Sequence, residues 1–111
     1  MNKQLLFLIS LQELDILIKE KEKEEEMGFP IKPCEELKKA REKIIEKIDA
    51  HLMRRYERLS ERYGNPVVPV VDGICQGCYM LLPTSLISQK AKNERIHTCP
   101  NCGRFLYWVD D

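Results

Sequence analysis

The sequence predicts an α+β chain in which an antiparallel helical hairpin over residues 1–63 is followed by a small β segment over residues 64–111. Three observations carry that expectation. Apolar residues recur at helical spacing before residue 64, where the runs of Glu, Lys and Arg also lie. Tyr63-Gly64-Asn65-Pro66 then supplies a residue suited to a left-handed cap and a proline that cannot continue a helix. Beyond it, two Cys-x-x-Cys pairs stand among short runs of β-branched and aromatic residues.

In the first helix, Phe7, Leu11, Leu14 and Ile18 share one face, and Leu5, Leu6, Leu8, Ile9, Ile16 and Leu17 widen that stripe until it nearly encircles the helix. One partner helix cannot cover so broad a surface, so a second contact is expected, from the β segment or from another copy of the chain. The helix should stop near Met27-Gly28-Phe29-Pro30. A second helix follows Pro33, with Glu35 and Glu36 in its first turn where the dipole favours negative charge. Its stripe is Leu37, Arg41, Ile45, Ile48, Leu52, Tyr56, Leu59 and Tyr63, a spacing near an eleven-residue repeat that predicts a nearly straight pair. The short connection makes the pair antiparallel. That arrangement brings Lys38, Lys39 and Arg41 toward Glu24, Glu25 and Glu26, which sit unfavourably at a helix C-terminus.

Length and charge narrow the function classes. A chain of 111 residues holds one ordinary domain or two very small ones. Its 18 basic and 18 acidic residues cancel, so no global attraction to nucleic acid or anionic membrane is expected. The start, MNKQLLFLISLQEL, has a lysine and an apolar run, but Glu13 and Asp15 interrupt it and no small-residue cleavage site follows. Neither export nor a membrane span is expected, and the location expected is cytoplasmic. In that reducing compartment paired cysteines point to metal or catalysis rather than disulfides.

Cys75-Gln76-Gly77-Cys78 and Cys99-Pro100-Asn101-Cys102 are separated by 20 residues. Two such knuckles can each present two thiolates to one tetrahedral ion while the intervening chain folds back, which makes Cys75, Cys78, Cys99 and Cys102 the expected ligands of a structural Zn²⁺. Gly77 and Gly103 let the backbone turn tightly and aim amides at the sulfurs. A segment this small needs a metal to supplement its core, expected from Val67, Val68, Val70 and Val71 entering, Phe105 to Val109 leaving, and Leu81, Leu82, Leu86 and Ile87 between. In an extended segment Phe105 and Tyr107 face one side, Leu106 and Trp108 the other. A rubredoxin-type iron site would use the same four thiolates. A thioredoxin-like redox role lacks its βαβ context, and a di-iron bundle lacks its Glu-x-x-His pairs. His51 reads as packing or surface, His97 as a neighbour of a filled site, and Cys34 as a passive thiol at a helix start.

From Gly73 onward, GICQGCYMLLPTSL and then RIHTCPNCGRFLYW closely resemble the C4-type zinc ribbon of a bacterial family whose members carry an N-terminal antiparallel coiled-coil hairpin. The resemblance covers residues 72–108 and rests on G-x-C-x-x-C, the following apolar-Leu-Pro and CPxCGRxLYW. It implies a non-enzymatic protein with a structural zinc, described in the family as a nucleic-acid-binding or regulatory adaptor; one branch is similar to a flagellar regulator that binds a sigma factor and messenger RNA. The hairpin departs from the family pattern, since typical relatives have a much longer rod.

The function expected is that of an adaptor for a protein or nucleic-acid partner. Phosphate contacts would come from Lys90, Lys92 and Arg95 between the knuckles and Arg104 after the second, or from Arg54, Arg55, Arg58 and Arg62 on the second helix, with Tyr79 or Trp108 stacking on bases. Charge weighs against nucleic acid and toward a protein partner. Residues 64–111 hold four basic and four acidic residues, four thiolates on Zn²⁺ add two negative charges, and Glu57, Glu61 and Glu94 interleave the basic clusters. The alternatives are a module that self-associates as a homodimer through its N-terminal helix, and a rubredoxin-type electron carrier.

Overall fold

The structure is a computed structural model that describes residues 1–28, 35–88 and 92–109. Helix α1, Lys3–Glu26, begins at Asn2, whose side-chain oxygen accepts the Leu5 N–H at 3.1 Å. It ends as the sequence predicts, with Gly28 in the left-handed region. Cys34 and the loop before it lie outside the described residues.

The expected second helix is two helices, α2 (Glu35–Lys47) and α3 (Ala50–Tyr63). Helix α2 runs antiparallel to α1: Lys38 approaches Glu22 at 3.9 Å, Arg41 Nε donates to Asp15 at 2.6 Å, and the Lys47 carbonyl accepts from Gln4 at 2.8 Å. Helix α3 then returns in the direction of α1, with Asp49 beside Gln4 and Tyr56 beside Asp15. Gln4 takes up the groups that the reversal frees. Its amide donates to Lys47 and its oxygen accepts the Asp49 N–H, both at 2.8 Å, where a continuous helix would have bonded internally. Lys38 and Arg41 thus pair with Glu22 and Asp15, not with the Glu24–Glu26 run, for which no cross-helix ion pair exists among the described residues.

Gly64 closes α3 in the left-handed region, its N–H bonded to Ser60. The chain then enters a four-stranded sheet of order β2-β1-β4-β3, made of β1 (Val67–Val71), β2 (Ile74–Cys75), β3 (His97–Thr98) and β4 (Phe105–Trp108). Asp72 and Gly73, both at positive φ, form the two-residue turn of the antiparallel β1–β2 hairpin. The central pair, β1 and β4, is parallel, with Val67 opposite Phe105 and Val70 opposite Trp108. A short helix α4, Thr84–Ile87, and a 3₁₀ turn, Lys92–Glu94, occupy the crossover. Asn93 prolongs the sheet edge by exchanging two hydrogen bonds with the Trp108 backbone, at 2.7 and 2.8 Å.

Strand alternation divides this sheet between two cores, as the sequence predicts for β4. Val67, Phe105 and Tyr107 meet Leu8, Leu11, Ile48, Leu52, Met53 and Tyr56 of the helices. Val68, Val70, Leu106 and Trp108 meet Leu82 and the cysteines. The β segment is therefore the second contact that the broad apolar surface of α1 requires. Gln12 seals the junction, donating to the Val67 carbonyl and accepting its N–H at 2.8 and 2.7 Å. Among the described residues no helix is long and apolar enough to cross a membrane.

One carboxylate ties the three helices together: Asp15 accepts from Arg41 on one oxygen and from the Tyr56 hydroxyl, at 2.8 Å, on the other. Burial first, then the bond to Asp15, pushes the Tyr56 pKa up. Tyr56→Phe is expected to lower stability at neutral pH by about 1.5–3 kcal/mol, the range for a bond to a charged group. Because the folded pKa is raised, this contribution is present below the ordinary value of 10 and is lost as pH climbs above it. Denaturant unfolding should show a shallower alkaline decline in the variant than in the wild type; parallel declines would contradict the assignment.

Candidate metal centre

The two cysteine knuckles are built alike. In each, the residue four positions after the first cysteine donates its N–H back to that cysteine's carbonyl at 2.8 Å, Tyr79 to Cys75 and Gly103 to Cys99. In each, the first cysteine's own N–H bonds to the carbonyl five positions on, Met80 at 3.1 Å and Arg104 at 2.9 Å. The amides of Cys78 and Gly77 point at the Cys75 sulfur, and those of Cys102 and Asn101 at the Cys99 sulfur. This fold of the backbone needs a left-handed residue, which is Gly103 (φ 81°) in the second knuckle and Tyr79 (φ 61°) in the first.

The knuckles face each other so that all four sulfurs lie within 4.8 Å of one another. Cys75 is 3.8 Å from Cys102 and Cys78 is 3.7 Å from Cys99. Thiolates about 2.3 Å from a tetrahedral ion are separated by about 3.8 Å, so the set fits a Zn²⁺-sized cation. Cys75, Cys99 and Cys102 are buried and Cys78 is partly exposed. Burial pushes the Cys75 thiol up to about 12 and raises Cys99, in each case against the pull of the knuckle amides. At Cys78 burial also acts upward, but hydrogen bonds from the Asn101 side chain and the Met80 amide outweigh it and bring the thiol down to about 6.

Arg104 is a buried cation beside this centre, only 7% exposed. Its Nε and Nη2 donate to Asn65, each at 3.0 Å, and its guanidinium lies 3.7 Å from the centre of the Tyr63 ring. The sequence reading of Arg104 as a phosphate contact is therefore corrected: the side chain joins the end of α3 to the metal knuckles and is closed to a ligand. Gly77 makes the space for it, since a Cβ there would stand 2.6 Å from Arg104 Cδ. The signal for this role was the pairing of a glycine inside one knuckle with an arginine after the other.

Lys92 lies over the Trp108 ring at 5.7 Å, Arg95 is exposed, and Lys90 is outside the described residues. Trp108 is buried and offers no stacking face, whereas Tyr79 is 71% exposed. His97 sits edge-on to Trp108, with burial, reinforced by Arg95, holding it below its ordinary pKa; His51 is on the surface.

A sheet pinned by two thiolate knuckles, with helices on its other face, defines a protein carrying a C4-type zinc ribbon. The family model described as a C4-type zinc ribbon domain matches residues 74–106. Two solved structures are similar to the chain. The CT398 protein from Chlamydia trachomatis is 31% identical over 67% of this chain, with a TM-score of 0.57. The HP0958 protein from Helicobacter pylori is 26% identical over 68% of this chain, with a TM-score of 0.58. The similarity spans 32% of each of those chains, so this chain accounts for about a third of their length. No curated protein matches it significantly.

Two outcomes are expected. Zinc loading must displace protons from Cys75 and Cys99, so apparent affinity should rise with pH, and below about 6, where Cys78 also holds a proton, it should fall more steeply. Chelator competition across pH measures this, and a pH-independent affinity would contradict it. Gly77→Ala should cost about 1–3 kcal/mol through overpacking against Arg104. Much of that cost should vanish in an Arg104→Ala background, and strictly additive losses would show that the two positions do not meet.

Proposed function

We propose that this chain is a non-enzymatic binding module, in which a structural Zn²⁺ rigidifies a ribbon that recruits a protein partner. Four thiolates fill a tetrahedral ion, so the metal has no open position for a substrate or an activated water. Closed sites of this kind act through the surface they hold in place.

The observation that carries the reading is Tyr79. It stands where the twin knuckle uses glycine, in a backbone conformation that costs a side-chain-bearing residue about 1–2 kcal/mol, yet the residue is 71% exposed. Met80 and Leu81 beside it are 52% and 71% exposed. A residue in a strained backbone conformation whose surface is mostly exposed is accounted for by contact with something outside the fold. Tyr79→Gly should leave stability unchanged or raise it, while reducing retention of the partner cross-linked to the zinc-loaded chain in cells. Retention equal to wild type would remove the tip from the interface, and the absence of any cross-linked partner would count against the adaptor reading.

Self-association is a second reading, favoured by Leu6, Ile16 and Leu17 of α1, which are 50%, 46% and 43% exposed. Light scattering separates the two: a mass that stays at one chain as concentration rises excludes the dimer. Zinc is proposed over iron in the thiolate site, and a colourless protein with one zinc per chain by native mass spectrometry is expected. A red, iron-loaded protein would favour electron transfer instead.

A further inference from the structure

Helix α3 has a segregated charge pattern that is hidden in its sequence. Glu57 and Glu61 line a groove toward the other helices, shared with Lys19 and Arg41. Arg55, Arg58 and Arg62, at positions i, i+3 and i+7, lie on an adjacent side of the helix, where with Leu59, Cys102 and Gly103 they line a groove of about 330 Å³ between α3 and the second knuckle. Among the described residues none of these three arginines has a carboxylate partner. Arg55 rests over the Phe105 ring at 5.4 Å and Arg62 over the Tyr63 ring at 5.2 Å, contacts that orient a guanidinium while leaving its N–H donors free.

We propose that this groove binds an acidic, extended segment of a partner protein. The three guanidiniums would pair with its carboxylates, and Leu59 and the Gly103 backbone would pack against its apolar side chains. The inference rests on the adaptor reading and names the chemistry of one partner surface. An acidic peptide is favoured over a nucleic acid because no aromatic ring is among the residues lining the groove. Phe105 is fully buried and Tyr63 is covered by Arg62 and Arg104, so neither presents a face on which a base can stack.

The test is fluorescence anisotropy of the zinc-loaded full chain with a labelled peptide of alternating glutamate and leucine, its glutamine counterpart, and a single-stranded oligouridine of equal charge. Binding of the glutamate peptide alone is expected, weakening with salt and falling roughly tenfold in Arg58→Glu or Arg62→Glu. Arg54→Glu, outside the groove, should change it less than about twofold. Bound zinc is measured in every variant. Loss of peptide binding with zinc retained supports the site; zinc lost on substitution assigns the arginines to charge balance at the metal and overturns it. Equal effects at Arg54 and Arg58, no peptide binding, or tighter binding of oligouridine through the same arginines would also overturn it. Because the probe is a defined peptide, its failure leaves the cross-linking result at Tyr79 standing, so the groove and the adaptor reading fail separately.

Discussion

Four sulfurs drawn within 4.8 Å of one another are the constraint on which the rest of the molecule depends. Without a cation, burial keeps the Cys75 and Cys99 thiols protonated, and a cluster of buried thiols contributes little beyond their small apolar surface. With Zn²⁺ the same residues become four bonds that hold together two stretches of chain 20 residues apart. Structural zinc in small domains supplies about 10–16 kcal/mol of apparent binding free energy, comparable to the whole stability of an ordinary domain. Two-residue strands such as β2 and β3 each run directly into a knuckle, whose fixing by a metal would hold them in the sheet.

The influence of a metal bound there would not stop at the ribbon, because the sheet between the knuckles is also a wall of the helical core. Phe105 is fully buried against Leu8, Leu11 and Tyr56 on one face, while Leu106 on the next position packs beside the cysteines. Polar side chains secure the junctions where backbone groups would otherwise be orphaned. Gln4 serves the α2–α3 corner, Gln12 the entry to β1, Asn93 the end of β4 at Trp108, and Arg104 the passage from α3 to the knuckles. A surface presented by either part is thus held rigid by both, which lowers the ordering cost of binding.

The parts of this architecture governed by short-range rules were legible in the sequence. The cysteine spacing identified the ligand set, Gly28 and Gly64 marked helix ends, and alternation along Phe105–Trp108 assigned the two faces of β4. What was illegible depended on partners distant in the chain. The break at Ile48-Asp49 lies within an apolar stripe that continues smoothly through it, and the freed amide is taken up by the Gln4 side chain, 45 residues away. Asp49 was the one local sign, a residue type common at helix starts. The parallel pairing of β1 with β4 rests on the closure of the knuckles, and the burial of Arg104 on the space left by Gly77. Counting charges along α3 showed arginines interleaved with glutamates, whereas the helix separates them onto different sides.

The most direct test is thermal unfolding of the zinc-loaded and metal-free chain, followed in parallel by fluorescence of the single tryptophan, Trp108, and by helical circular dichroism. Metal that supports both cores through one sheet predicts coincident transitions in the loaded protein and a large downward shift of both signals when zinc is removed. A helical transition that stays in place while only the Trp108 signal is lost would contradict it, leaving the ribbon an appendage on an independently stable helical domain.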